Sequence, residues 1–174
     1  MENRLKPETT SVINKLIAAN VRTIMCTGDN ILTGLSVARD CDMISEDDRV
    51  IIIEANEGED PKFTYADILK KEKVKEIDYD KKSKKFIQKD KSSHFHFAIS
   101  GKSFAVIRNE HKDLLDKLAV RGTVFGRMSP DQKQQLVELL QELGYFVGMC
   151  GDGANDCGAL KAGFSIYYII KNIM

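Results

Sequence analysis

One pattern constrains this chain more than any other: a short apolar run ends on a turn rich in glycine or aspartate, and a helix-like stretch follows at once. Val21-Arg22-Thr23-Ile24-Met25-Cys26 runs into Thr27-Gly28-Asp29, after which Ile31, Leu35 and Ala38 mark one face of a helix. Thr123-Val124-Phe125-Gly126 leads to Ser129-Pro130-Asp131-Gln132, which has the form of a capping box with proline at the first helical position. The helix it opens carries Leu136, Val137, Leu140 and Leu143 on one face and stops at Gly144. Tyr145 to Cys150 is a further apolar run, and it breaks into Gly151-Asp152-Gly153-Ala154-Asn155-Asp156 before a short helix through Leu160. Strands alternating with helices predict an α/β fold with a Rossmann-like parallel sheet and helices on both faces.

Around this pattern, residues 7 to 20 read as a helix, and Phe95-His96-Phe97-Ala98-Ile99 as a strand followed by a helical stretch carrying Leu114, Leu115 and Leu118. The periodicity weakens from about Ser45, and Lys70 to Lys91 is rich in lysine with scattered acids, the composition of a solvated loop. The 174 residues suffice for one globular domain, and lysine plus arginine equal aspartate plus glutamate at 26 each, so no whole-chain field attracts nucleic acid or an anionic membrane. The longest apolar tract, around Phe164 to Ile170, falls well short of the ~20 residues of a spanning helix, and no apolar run follows Met1. The expectation is therefore a cytosolic chain without a membrane span and without a nucleic-acid partner. Cys26, Cys41, Cys150 and Cys157 contain no Cys-x-x-Cys pair, so reduced, mostly buried thiols are expected. His94 and His96 alternate on a strand but lack a third ligand, which disfavours a metal site there.

In open parallel sheets the ligand site lies beyond the carboxyl ends of the strands, and the polar clusters fall at such ends. The hydroxyl and backbone amides of Thr27-Gly28-Asp29 can receive an anion such as phosphate, although alone this tripeptide is more often a plain turn. Asp152 and Asp156, four residues apart, offer hard oxygens suited to magnesium, which borrows further oxygens from phosphate. Lys133 stands in the first turn of its helix, where the macrodipole opposes its charge; by type a lysine belongs on the surface, but pointed at the strand ends it would neutralise a transferring phosphoryl group. A hydroxyl, a lysine and a paired-aspartate magnesium site are parts needed for phosphoryl transfer to a carboxylate.

In order, Glu2-Asn3-Arg4-Leu5-Lys6-Pro7-Glu8-Thr9, Thr27-Gly28-Asp29-Asn30, Met128-Ser129-Pro130-Asp131-Gln132-Lys133 and Gly151-Asp152-Gly153-Ala154-Asn155-Asp156 resemble the P-type ATPases. Within them, Met149 to Lys161 and Phe97 to Lys102 look like the type-V branch of endosomal and lysosomal polyamine or cation transporters. The resemblance runs from residue 1 to about 163. It implies a haloacid-dehalogenase-like phosphorylation domain, divided as 1–44, an insertion at 45–94, a second part at 95–163 and a divergent tail at 164–174. It further implies that Thr27 and Lys133 contact the phosphoryl group, that Asp152 binds magnesium with Asp156 and Asn155 supporting it, and that Gly28 and Asp29 lie by the nucleotide phosphates. Magnesium is the implied cofactor, with ATP used by the parent protein, whose site faces the cytosol from an endosomal, lysosomal or endoplasmic reticulum membrane.

The family's phosphorylated aspartate lies in an Asp-Lys-Thr-Gly-Thr motif, and these 174 residues contain none. This leaves a piece of the transporter without activity of its own, a regulatory module binding the full-length transporter, or, least favoured, a soluble phosphohydrolase. The strand bearing the nucleophile is expected between the strand ending at Thr27 and that ending at Cys150. Its absence predicts a marginal or re-paired fold, because each unpaired buried backbone group costs about 1–3 kcal/mol against a net domain stability of roughly 5–15 kcal/mol.

Overall fold

The computed structural model describes residues 5–66, 79–80, 85–86, 95–151 and 153–164. Its main sheet has five strands in the order β1 (Met25–Cys26), β7 (Gly122–Gly126), β6 (Phe95–Ser100), β2 (Arg49–Glu54), β3 (Lys62–Ala66). Every pairing is parallel except β2 with β3, so the sheet is mixed rather than wholly parallel. Tyr79–Asp80 (β4) and Lys85–Phe86 (β5) form a separate antiparallel ladder.

Helices cover both faces, as the alternation requires. Leu35 and Ala38 of α2 (Ile31–Asp40) pack with Cys41, Ile44, Val50, Ala98 and Val124 on one face. On the other, Phe104 of α3 (Gly101–Glu110), Leu115 and Leu118 of α4 (Lys112–Arg121) and Leu136 and Leu140 of α5 (Pro130–Glu142) cover Ile51, Phe97, Ile99 and Phe125. Phe104 meets Phe125 edge-on with ring centroids 6.3 Å apart, the geometry the ring quadrupoles favour. All five residues of β7 are buried, which marks it as an inner strand.

Several elements depart from the periodicity. The strand expected over Val21–Cys26 keeps only Met25–Cys26 in the ladder, opposite Val124 and Phe125. Its earlier part has no strand alongside among the described residues; there Arg22 turns its guanidinium to the carbonyls of Ala119 and Gly122, at the end of α4. The strand expected over Tyr145–Cys150 is not one. Tyr145 N–H closes onto Leu140 O at 3.0 Å, and Val147 O accepts from Phe164 N–H at 2.9 Å, with no ladder between. This segment shares the core with β1, since Val147, Ile24 and Cys26 pack against the same cluster, but no hydrogen bond joins the two.

The β2 and β3 strands carried no clear signal, because Val50-Ile51-Ile52-Ile53 is an unbroken apolar run, and α3 was not separated from the helix after it. The lysine-rich stretch lies outside the described residues apart from β4 and β5, as do His94, Glu2 to Arg4 and most of the tail. His96 is engaged otherwise: its Nδ1 lies 2.9 Å from Thr123 Oγ1 and its Nε2 3.2 Å from Asp48 Oδ2. Thr123 is the extra residue where the β6–β7 register shifts. Helix α1 (Thr9–Ala18) buries no residue, and Val12, Leu16 and Ile17 of its apolar stripe remain exposed.

Candidate functional site

At the carboxyl end of β1 the chain turns through Thr27, Gly28 and Asp29 into α2. Thr27 N–H extends the ladder to Phe125 O at 2.9 Å, and its Oγ1 accepts from Asp29 N–H at 3.1 Å, a hydroxyl-closed turn. Asn30 caps α2 by accepting from Leu32 N–H at 2.9 Å. Gly28, Asp29 and Asn30 are exposed, with Thr27 half-buried. The turn is fastened to the end of β7: Met128 N–H reaches Thr27 O at 3.0 Å and Arg127 N–H reaches Asp29 O at 2.7 Å, Arg127 taking φ 50° to do so.

The expected capping box opens α5. Ser129 Oγ accepts from Gln132 N–H at 3.2 Å, and Gln132 Oε1 accepts from Ser129 N–H at 3.0 Å. Lys133, one residue on, is not a surface lysine. Its Nζ lies 2.7 Å from Asp156 Oδ1, the two side chains only 9% and 13% exposed. A helix start is a poor place for a lone cation, so the Asp156 carboxylate is what makes this burial tenable. Asp156 ends a 3-10 turn, Ala154–Asp156, that runs into α6 (Cys157–Ala162), with its carboxylate against the backbone of Gly151. Because Arg127 and Met128 bond to the Thr27–Asp29 turn just before α5 begins, Lys133 and its partner Asp156 stand at the strand end that leads to Thr27.

Thr27, Gly28, Asp29, Lys133 and Asp156 thus gather on the carboxyl side of β1 and β7, the side expected to face a ligand. Asn155 is exposed on the 3-10 turn, and Asp152 lies outside the described residues. Among the described residues no three His, Cys, Asp or Glu side chains come together as a metal cage. Magnesium takes one or two carboxylates plus phosphate oxygens and waters, and Asp156 is a carboxylate at this strand end. Sequence reasoning passed over Gln132 as more than a cap; its Nε2 donates to Gly101 O at 2.8 Å, a contact without a local signature.

Burial pushes the Cys26 thiol up to about 12, with Asp156 adding to the rise and Lys133 opposing it. Cys41 is buried and also raised, chiefly by burial, whereas Cys150 and Cys157 are exposed. Ellman's reagent at pH 8, well below a pKa of about 12, is therefore expected to titrate Cys150 and Cys157 rapidly in the native protein, and Cys26 and Cys41 only after denaturation. Rapid reaction of all four would contradict the packing around β1.

Comparison with known proteins gives no match to any family model. The chain is 51% identical over 171 residues to polyamine-transporting ATPase 13A3 of Mus musculus and 50% identical to that of Homo sapiens, each match covering 92% of this chain and 14% of the relative. It is 48% identical over 167 residues to probable cation-transporting ATPase 13A4 of Homo sapiens, again over 92% and 14%. The chain therefore spans about one-seventh of the length of the curated relatives it matches. No helix among the described residues is long and apolar enough to cross a membrane. Identity near one-half across nine-tenths of the chain means that, over this stretch, it belongs to the type-V P-type ATPases.

Proposed function

We propose that this chain is the larger part of a haloacid-dehalogenase-like phosphorylation domain, working within a transporter that couples ATP hydrolysis, through an aspartyl phosphate, to movement of a polyamine or cation. The observation that carries this reading is the buried Lys133–Asp156 pair at 2.7 Å beside the strand end that leads to Thr27. Lys133 and the Thr27 hydroxyl hold the phosphoryl oxygens, and Gly28 and Asp29 face the nucleotide phosphates. Asp152 and Asp156 hold magnesium, with Asn155 steadying their loop. When bound, the metal neutralises charge on the phosphoryl oxygens. Asp156 also keeps the Lys133 ammonium fixed in a site shielded from water, where it counts most.

The nucleophilic aspartate comes from a segment outside these 174 residues. The free edge of β1 and the unladdered 145–150 segment support a strand entering between them. The domain faces the cytosol beneath an endosomal, lysosomal or endoplasmic reticulum membrane. A second reading, a module that docks on the full-length transporter, is favoured by the same free edge and by the exposed stripe of α1.

Calorimetry of the purified chain with magnesium plus beryllofluoride or orthophosphate tests the site. Binding that requires both components, and that Asp152→Asn weakens by about tenfold or more, is the expected result. Equal affinity in Asp152→Asn would remove that residue from the metal site, and no binding by the unaltered chain would mean that these residues do not assemble a site without the absent strand.

A further inference from the structure

We propose that Gln132 is a positioning residue that sets the reach of Lys133 by clamping the start of α5 to the start of α3. The clamp deepens the phosphoryl-site reading and rests on it.

A capping box needs only an acceptor at its third position, so glutamate would serve as well as glutamine. Gln132 uses its Oε1 for that purpose, accepting from Ser129 N–H at 3.0 Å. Its amide then does what glutamate could not: Nε2 donates to Gly101 O at 2.8 Å. Gly101 is the first residue of α3, at the carboxyl end of β6, and contact there is tight. A β-carbon at position 101 would stand 2.2 Å from Arg127 O and 2.5 Å from Gln132 Oε1. Three pieces of backbone therefore meet at one point: the start of α3, the Arg127 turn that holds the Thr27–Asp29 loop, and the first turn of α5.

Lys133 follows immediately, and its long side chain reaches Asp156 from this first turn. A small rotation of the turn is amplified along that side chain. A glutamate at 132 would keep the cap and suit the helix N-terminus, but would set a carboxylate oxygen against the Gly101 carbonyl and force the turns apart.

The test compares Gln132→Glu and Gln132→Met with the unaltered chain, reading magnesium–orthophosphate affinity, melting temperature and amide hydrogen exchange along α3. Gln132→Glu is expected to melt close to the unaltered chain, to bind about tenfold more weakly, and to exchange faster at Ser103 and Phe104 while the backbone N–H at position 132, still held by Ser129 Oγ, stays protected. Gln132→Met, lacking both bonds, is expected to lose melting temperature as well. Unaltered affinity in Gln132→Glu overturns the proposal. If the unaltered chain binds nothing, the phosphoryl-site reading fails first, and the exchange pattern then decides the clamp: unchanged exchange at Ser103 and Phe104 overturns it, and faster exchange upholds it.

Discussion

Asp156→Ala is expected to lower unfolding stability by about 3–5 kcal/mol, the usual cost of removing one member of a buried ion pair. Lys133 and Asp156 are 9% and 13% exposed, so neither recovers much solvent when the other is removed. The lone lysine must then stay charged without a partner, lose its proton, or drag the first turn of α5 outward, and each costs free energy. The paired replacement Lys133→Met with Asp156→Leu should restore most of the loss, because two apolar groups of similar volume bring no charge to desolvate. Urea denaturation of both variants, read as midpoint and slope, checks this. A loss below about 1 kcal/mol for Asp156→Ala would mean that the pair behaves like a surface one. The paired variant has a second use. With stability restored and both charges gone, any loss of magnesium–phosphate binding reports on the site and not on unfolding.

Gly126→Ala is expected to cost roughly 2–3 kcal/mol and to loosen the Thr27 turn, from a single added methyl group. A β-carbon there would stand 2.7 Å from Ile31 Cα and 2.9 Å from Ile31 N, backbone atoms at the start of α2 that no rotamer change can clear. Either β7 or α2 must shift, and the bonds from Arg127 and Met128 to Asp29 and Thr27 lie between them. Thermal unfolding and the amide signals of Thr27 to Leu32 should change together. A variant that melts like the unaltered chain would show slack in this contact.

The motif-bearing turns could be read from sequence because their determinants are local. Ser129 is a cap residue whose partner lies three positions away, and that cap forms. What could not be read depends on residues far along the chain. Val50 to Ile53 gave no alternation because both faces of β2 are covered, by β-sheet neighbours and helices from distant parts of the sequence. Tyr145 to Cys150 has the composition of a buried strand, yet a strand exists only where a neighbour pairs with it, and none does here. Lys133 looked like a surface residue by type; its burial depends on Asp156, 23 positions away. The family motifs pointed to a shared site for the two residues, but neither they nor hydrophobic periodicity pointed to that pairing.

The strand order has a kinetic consequence. β1 and β2 come from the first third of the chain, yet they never touch, because β7 and β6, made much later, lie between them. Among the described residues, the N-terminal half closes by itself only the β2–β3 and β4–β5 ladders. At roughly 5–20 residues per second of synthesis, β1 waits several seconds for β7, its partner strand among the described residues. Until then Ile24, Met25 and the Val50–Ile53 run stay uncovered, in a fold dominated by long-range pairings that close slowly. Folding of this chain during translation therefore depends on whatever shields those residues until β6 and β7 arrive.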